Sequence, residues 1–187
     1  MARASTRPLT AEEFFALDFP DVRAELVRGE AVCVSLPGGQ HGVVALRIGA
    51  RLLSFVEAHG LGFCSAETGF LLARDPDTVR GPDAAFVSRQ RLSRLSGPAP
   101  PRGFWPFAPD LAVEVISPHD RPQEVQEKVR DWFAGGTLRI WLIYPDARTV
   151  HVLRSPSEVA IFGRADILSG EDVLPGFSCP VASLFDS

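Results

Sequence analysis

The second half of the chain contains four apolar runs of strand length, and a helical segment separates the first run from the other three. Runs of this length, rich in β-branched and aromatic residues, predict strands. Asp120 and Gln123 have the spacing of a helix start, and the pair Gly135-Gly136 ends the segment. The four runs are DLAVEVIS (110–117), LRIWLIY (138–144), RTVHVLR (148–154) and EVAIFG (158–163). This order predicts a sheet with helices packed against it.

The first half of the chain adds a short helix and a hairpin at its start. Thr10 and Glu13 have capping-box spacing and predict the beginning of a helix. The segment AELVRGEAVCVS reads as two strands that turn at Arg28-Gly29. We therefore expect an α/β fold (an α+β mixed sheet) with flanking helices and an N-terminal helix-hairpin extension. The length of 187 residues suits a single domain over residues 1–187.

A long helix is predicted over residues 42–60, and shorter elements follow it. Its apolar stripe is Val44, Ile48, Leu52 and Phe55. Other apolar residues, Val43, Leu46 and Leu53, lie off this stripe, which favours a helix buried on more than one side. After it, GFCSAETGFLLA is a strand candidate, ARDPDTVRGP a polar loop and DAAFVS a short strand.

Composition narrows the class of protein. The formal net charge of -4 gives no overall attraction to nucleic acid or to anionic membranes. No run approaches the ~18 apolar residues of a membrane span, so we expect no membrane partner and a cytoplasmic location. The three cysteines, Cys33, Cys64 and Cys179, lack metal or disulfide spacing and are interpreted as small buried hydrophobic residues.

Two carboxylates interrupt the apolar run at 110–117. Asp110 and Glu114 share one face of the predicted strand because side chains alternate with period two. At ~3.3 Å per residue they lie about 13 Å apart, which is too far for two ligands of one Mg²⁺ on a rigid strand. A better partner for Glu114 is Asp83, at the start of another apolar strand, if the two strands are neighbours. Asp83 alone could be a turn residue, and Glu114 could form a core salt bridge with an arginine.

Lys128 is the only lysine among 19 basic residues. It falls near the apolar stripe of the predicted helix, so its stem can be buried while its ammonium reaches the edge of the sheet. Arginine has a bulkier planar head and does not lose its proton, whereas an ammonium is a compact donor. Because all the other basic residues counted here are arginines, the lysine indicates that position 128 requires a property that arginine lacks. The alternative is a solvated helix lysine.

Several segments in order along nearly the whole chain together resemble the Uma2-like (DUF820) family of the PD-(D/E)XK nuclease superfamily. They are RAELVRGE, the region of His41, RGPDAAFV, PDLAVEVISP, EKVRDWFAGGTLRIWLIYP and LPGF. The resemblance implies a restriction-endonuclease-like core. The superfamily motif is an Asp, and then a Glu two residues before a Lys. Asp83 and Glu114 match the acids, but position 116 is Ile, so the resemblance implies that the lysine has migrated to the helix as Lys128.

The resemblance also implies an activity and further site residues. It implies Mg²⁺-dependent (or Mn²⁺-dependent) hydrolysis of phosphodiester bonds, with Asp83 and Glu114 as ligands and Lys128 orienting the attacking water. Glu25 matches the acidic residue of the family's first hairpin and is implied as a further ligand; it could equally be a surface charge. His41 and Ser117 also fit the family pattern, although His41 could cap or pack a helix and Ser117 could end a strand.

Nucleic acid, with DNA as the first choice, is the expected partner. DNA binding requires a cationic surface, and the arginine-rich segment at 87–97 supplies Arg89, Arg91 and Arg94 as candidate contacts. The same arginines could be solvated surface.

A homodimer would suit the cutting of two strands. Two other functions stay open: a nuclease-fold module that binds nucleic acid or a protein without catalysis, and a metal-dependent hydrolase of a small phosphate ester.

Overall fold

The helices and strands of the chain are seen in a computed structural model that describes residues 7–17, 23–95, 97 and 100–186. The described helices are α1 (Ala11–Phe15), α2 (Gly39–His59), α3 (Arg89–Leu92), α4 (Pro122–Ala134) and α5 (Ala182–Phe185). The strands of the first half are β1 (Arg23–Val27), β2 (Glu30–Val34), β3 (Gly62–Ser65), β4 (Phe70–Ala73), β5 (Thr78–Arg80) and β6 (Ala84–Ser88). Those of the second half are β7 (Leu111–Val115), β8 (Arg139–Tyr144), β9 (Thr149–Ser155), β10 (Glu158–Phe162), β11 (Ile167–Ser169) and β12 (Ser178–Pro180).

A six-stranded mixed sheet forms the centre, in the order β10-β9-β8-β7-β6-β3. The pair β7–β8 is parallel, and the other neighbours are antiparallel. The parallel pair follows from α4, because a strand can return in the same direction only through a crossover connection. The predicted α/β class with a mixed sheet is confirmed.

A second, four-stranded sheet has the order β2-β1-β5-β4. Its β1–β2 hairpin turns at Arg28 and Gly29, whose φ angles are 51° and 78°. Two consecutive positive φ angles suit the twist of a two-residue hairpin, which explains a glycine in the turn. The capping box of Thr10 and Glu13 at the start of α1 is also present. The predicted helix and hairpin at the N-terminus are therefore confirmed.

Hydrophobic residues fill both faces of the six-stranded sheet. Alternate residues of β7, Leu111, Val113 and Val115, pack in one core with the inner side of α2. Ala112 of the same strand packs in the other core, with Trp132 of α4. Because side chains of a strand alternate between faces, Glu114 shares the α4 side with Ala112. The sheet thus fixes which helix meets the buried carboxylate.

Several local expectations are wrong. The stretch GFCSAETGFLLA contains two strands in different sheets, β3 and β4, and the expected polar loop contains β5, whose three residues are buried. The cap of α4 is Arg121 rather than Asp120, with Pro122 in the first turn. Cys33 is exposed and only Cys179 is buried. Prolines and short strands leave little alternation of apolar and polar residues in the sequence. These elements therefore depend on tertiary contacts, which the sequence periodicity does not reveal.

The long helix α2 begins at Gly39 and ends at the left-handed Gly60. Its residues Val44, Ile48, Leu52 and Val56 are buried, whereas Val43, Leu46 and Leu53 are exposed. The expected burial on more than one side is therefore absent from the described part of the chain. No described helix is both long and apolar enough to cross a membrane.

Candidate active site

Asp83 and Glu114 come together at the boundary between β6 and β7. The two strands are antiparallel, with Ala84 opposite Val113, so one further step of the ladder brings Asp83 opposite Glu114. The backbone N–H of Val115 donates to Asp83 Oδ2 at 2.6 Å. This bond fixes the Asp83 side chain at the end of its strand, beside the buried carboxylate.

Lys128 reaches the same carboxylate from α4. Its Nζ lies 3.3 Å from Glu114 Oε2 and 3.4 Å from Glu25 Oε1. Val129 and Trp132 anchor the helix in the core, which brings the neighbouring lysine over the sheet edge. The single lysine is thus partly buried between two carboxylates and is not a solvated helix residue.

Glu25 is buried and belongs to a further set of ionic contacts. Its Oε2 accepts from Arg80 Nη1 at 2.8 Å, and its Oε1 accepts from the backbone N–H of Gly81 at 3.1 Å. Arg80 in turn donates from Nε and Nη2 to Asp131 Oδ2 at 2.9 and 2.6 Å. The alternative of a surface hairpin charge does not apply to Glu25. Arg80 joins the four-stranded sheet to α4.

Trp132 completes the surroundings of Glu114. Its indole Nε1–H donates to Glu114 Oε1 at 2.9 Å, and the ring is fully buried. Glu114 is therefore held by a lysine and a tryptophan rather than by the arginine that a core salt bridge would use. The sequence analysis identified neither Trp132 nor Arg80 as a site residue. Trp132 is one of several apolar residues of its helix and Arg80 is one of 18 arginines, so neither has a sequence signal of its own.

Burial and neighbouring charge shift the pKa of the central groups. Burial, with help from the carboxylates of Asp83 and Glu25, raises the pKa of Glu114 to about 7, although Lys128 opposes the shift. Burial alone would lower the pKa of Lys128, but Glu114 and Glu25 raise it overall. Burial would likewise raise the pKa of Glu25, yet Lys128 and Arg80 lower it. Lys128 is consequently a charged donor at neutral pH and not a proton acceptor.

His41 brings an imidazole to the site from the start of α2. Its Nε2 lies 3.3 Å from Asp83 Oδ2. The hydrogen bond with Asp83 raises the pKa of His41, and partial burial opposes this shift. His41 therefore contacts a site carboxylate rather than serving only to cap the helix.

The charged groups line a cleft of about 980 Å³. Ser117 also lines this cleft, in the loop after β7, where its backbone N–H donates to Asp120 Oδ2 at 2.7 Å. The residues that line the cleft include Glu25, His41, Asp83, Glu114, Ser117 and Lys128. The predicted acids, the lysine, the histidine and the serine thus share one cavity.

The donor set suits a divalent cation of the Mg²⁺ type. Mg²⁺ is bound in proteins by one or two carboxylates and retains several waters, and Asp83 and Glu114 present two carboxylates from neighbouring strands. Burial is the main reason that the pKa of Glu114 is raised, with smaller contributions from the carboxylates of Asp83 and Glu25, and a bound cation would favour its ionised form. No group of three or more His, Cys, Asp or Glu side chains among the described residues is arranged to hold an ion. The fit therefore rests on two carboxylates, because Lys128 and Arg80 already pair with Glu25.

The arginines predicted to contact nucleic acid have different positions. Arg89 and Arg94 are exposed. Arg91 is buried, and it donates to Asp110 Oδ1 at 3.1 Å and to the carbonyl oxygens of Ala108 and Gly136. The predicted surface role does not hold for Arg91, because its guanidinium is occupied inside the protein.

Arg91 also accounts for the burial of Asp110, because the Asp110 carboxylate pairs with the Arg91 guanidinium at 3.1 Å. Helix α3 follows the far end of β6, so Arg89 lies roughly 20 Å along the chain from Asp83 at ~3.3 Å per residue. Proximity in sequence therefore does not bring these arginines into the cleft.

Comparisons with known proteins bear on the family and the fold of the chain. The family model for Uma2, described as "Putative restriction endonuclease", matches residues 11–182. Among solved structures, the chain is similar to the crystal structure of a putative nuclease belonging to DUF820 from Anabaena variabilis ATCC 29413, with a TM-score of 0.79 and 22% identity. The similarity covers 95% of this chain and 98% of that chain. No curated protein matches. The structural similarity supports the fold.

Proposed function

Because the chain belongs to the Uma2 family, we propose that it hydrolyses phosphodiester bonds in nucleic acid with the help of a divalent cation, Mg²⁺ or Mn²⁺. One observation carries the proposal. Two strand carboxylates, Asp83 and Glu114, meet in a cleft where a helix lysine contacts one of them. A buried acid with a raised pKa in a cleft is typical of functional sites.

Asp83 and Glu114 would hold the cation, and Glu25 would complete the acidic surroundings. The hydrogen bond from the Val115 N–H leaves the second oxygen of Asp83 available as a ligand. Trp132 keeps Glu114 directed into the cleft. A bound Mg²⁺ or Mn²⁺ would polarise the scissile phosphate and lower the pKa of a water molecule.

Lys128 would act as a charged hydrogen-bond donor in the reaction. Its ammonium is fixed between two carboxylates, so it can orient the attacking water or stabilise negative charge that develops on the phosphoryl oxygens. From α4, the ammonium of Lys128 reaches the same face of the sheet as Glu114. In this proposal Lys128 takes the place of the strand lysine of the nuclease motif, and α4 positions its ammonium.

His41 and Ser117 are secondary candidates in the same cleft. His41 contacts Asp83, and it can accept or donate a proton near neutral pH because imidazole titrates in that range. Ser117 can donate a hydrogen bond to a phosphate oxygen from the loop after β7.

We propose DNA as the substrate, with the exposed Arg89 and Arg94 as outer phosphate contacts. A homodimer would present two such clefts to two strands.

A non-catalytic binding module is the second candidate function. One observation favours it: the oxygens of Glu114 and Glu25 already accept hydrogen bonds from Lys128, Trp132 and Arg80. An ion must then compete with these donors. Such a module would bind nucleic acid or a protein through the same fold and would not turn over a phosphodiester.

A panel of three substrates separates these functions. Supercoiled plasmid, single-stranded DNA and bis(p-nitrophenyl) phosphate would each be incubated with Mg²⁺ or Mn²⁺ and with the wild-type protein, Glu114→Gln or the control Glu158→Gln. Glu158 is exposed on β10 and does not line the cleft. We expect metal-dependent nicking by the wild type and by the control, and its loss in Glu114→Gln.

Other results would contradict the nuclease proposal. DNA binding with no cleavage of any substrate would support the binding module. Cleavage of the small diester without DNA binding would support a hydrolase of small phosphate esters. Nicking that persists in Glu114→Gln would exclude Glu114 from the site.

A further inference from the structure

The outward face of α2 is apolar along most of its length. Val43, Leu46 and Leu53 are 49%, 73% and 43% exposed, and Ala50 lies exposed between them. Their spacing of three, four and three residues is that of the contact positions in a coiled coil. The face is thus a continuous stripe rather than scattered apolar residues.

The stripe lies opposite the buried side of the same helix. The core beneath the helix is filled by Val44, Ile48, Leu52 and Val56. At about 100° per residue, the exposed stripe points directly away from these buried residues. A helix that is apolar on both sides is normally buried on both sides. Within the described part of this chain only one side is covered, and the other side is exposed to a partner.

We propose that the partner is a second copy of this chain, with its α2 antiparallel to the first about a two-fold axis near Ile48. In that register residues whose numbers add to 96 face one another. Val43 then lies opposite Leu53 of the other copy, and Leu46 lies opposite Ala50. Each large residue meets an apolar residue, and the small Ala50 leaves room for Leu46.

The ends of the helix are also complementary in this register. The N-cap Gly38 gives α2 no side-chain capping bond, so its first backbone N–H groups lack a side-chain acceptor. A Cβ at Gly38 or Gly39 would meet nothing within 4 Å, which leaves space for another molecule. Glu57, which forms no ion pair with a described residue, would face Gly39 of the other copy. A carboxylate near a helix N-terminus is stabilising.

The size of the contact sets the expected affinity. Two helices of this length that pack along the stripe bury on the order of 1,000 Å² in total, which is near the lower limit of specific interfaces. We therefore expect a dimer that dissociates at micromolar concentrations. The inference goes beyond the proposed catalytic function and does not depend on it.

Sedimentation equilibrium of the full chain over a range of concentrations tests the surface. We expect the wild type to be a dimer at high concentration, and Leu46→Arg to raise the dissociation constant by about 100-fold or more. Arginine is as good a helix former as leucine, so the fold should persist. The control is Ile161→Arg, at a residue 64% exposed on β10. A monomeric wild type, or an equal effect of the control, would overturn the proposal.

Disulfide cross-linking tests the direction of the helices independently. In a Cys33→Ser background, the double substitution Leu46→Cys and Ala50→Cys should give a cross-linked dimer on mild oxidation, because the two positions face each other across the axis. Each single substitution should cross-link at least tenfold less. Efficient cross-linking by Leu46→Cys alone would indicate parallel helices, and no cross-linking by the double variant would exclude the contact; either result would contradict the arrangement.

Discussion

At the scale of single residues, Lys128 is distinguished by its two partners. Its ammonium contacts Glu114 and Glu25, and these carboxylates raise its pKa, so it stays charged through the physiological range. A donor with fixed charge can serve the reaction only by orienting or stabilising other groups. This constraint separates Lys128 from the general bases of other hydrolytic sites.

Replacement of Lys128 by alanine should therefore abolish cleavage without unfolding the protein. We expect metal-dependent nicking to fall by about 100-fold or more, as when a transition-state donor is removed. Glu114 can take up a proton in the absence of the ammonium, so the fold should persist. Lys128→Arg should not restore activity, because a planar guanidinium does not replace a compact ammonium.

The control for Lys128 is Arg130→Ala on the same helix, at an exposed residue whose ion pair is with Glu127. Its nicking rate should equal that of the wild type. Circular dichroism and thermal melting would verify that the Lys128 variants are folded. Full activity in folded Lys128→Ala would exclude the lysine from the mechanism.

The raised pKa of Glu114 predicts how stability depends on pH in the absence of metal. Between about 4.5 and about 7 the folded state keeps a proton on Glu114 that the unfolded state releases, so this residue makes the protein less stable as pH rises through that window. Glu114→Gln carries no such proton. We expect it to gain stability relative to the wild type from pH 5 to pH 8, by at most about 3 kcal/mol.

Urea unfolding at pH 5 and pH 8 in EDTA would measure this difference, with Glu124→Gln as the control at an exposed site. The raised pKa of His41 also affects stability near neutral pH, but it does so in both proteins and largely cancels. The raised pKa of Lys128 and the lowered pKa of Glu25 act outside this window. If the difference in unfolding free energy between Glu114→Gln and the wild type does not change with pH, the result would contradict the raised pKa of Glu114.

At the scale of elements, strand β5 connects the four-stranded sheet to helix α4 through one side chain. Arg80 of β5 is buried and pairs with Glu25 of β1 and with Asp131 of α4. Three elements therefore meet at one guanidinium. The position of Glu25 beside Lys128 depends on this contact.

Arg80→Leu should destabilise the protein strongly, because it leaves the buried carboxylate of Glu25 with less compensation. Removing one partner of a buried ion pair costs about 3–5 kcal/mol. The matched control is Arg164→Ala, which removes an exposed pair with Asp186 and should cost less than about 1 kcal/mol. Equal unfolding free energies of the two variants in chemical denaturation would contradict the role of Arg80.

The same elements show what could be predicted from the sequence. Asp83, Glu114 and Lys128 were identifiable because each departs from its local setting: two acids beside apolar strands, and one lysine in an arginine-rich chain. Arg80 was not, because a strand of three residues shows no alternation and one arginine among 18 has no distinctive signal. Arg91 was assigned to the surface, since its burial depends on the distant Ala108 and Asp110.

At the scale of the whole molecule, the site draws on parts that are separate in sequence. The six-stranded sheet supplies Asp83 and Glu114, the four-stranded sheet supplies Glu25 and Arg80, and α4 supplies Lys128. The cleft exists only when the two sheets and the helix are packed together. On the other side of α2 from the core, the exposed stripe faces away from the six-stranded sheet.

Titration calorimetry with Mn²⁺ tests the central claim most directly, since that claim is that Asp83 and Glu114 hold one divalent cation. The wild type and the control Glu158→Gln, at an exposed residue outside the cleft, should bind a single ion per chain. Asp83→Asn and Glu114→Gln should each lose this binding while they remain folded, because each keeps the size of the side chain and removes its charge. Unchanged Mn²⁺ affinity in both site variants would contradict the account and would locate any metal site elsewhere in the protein.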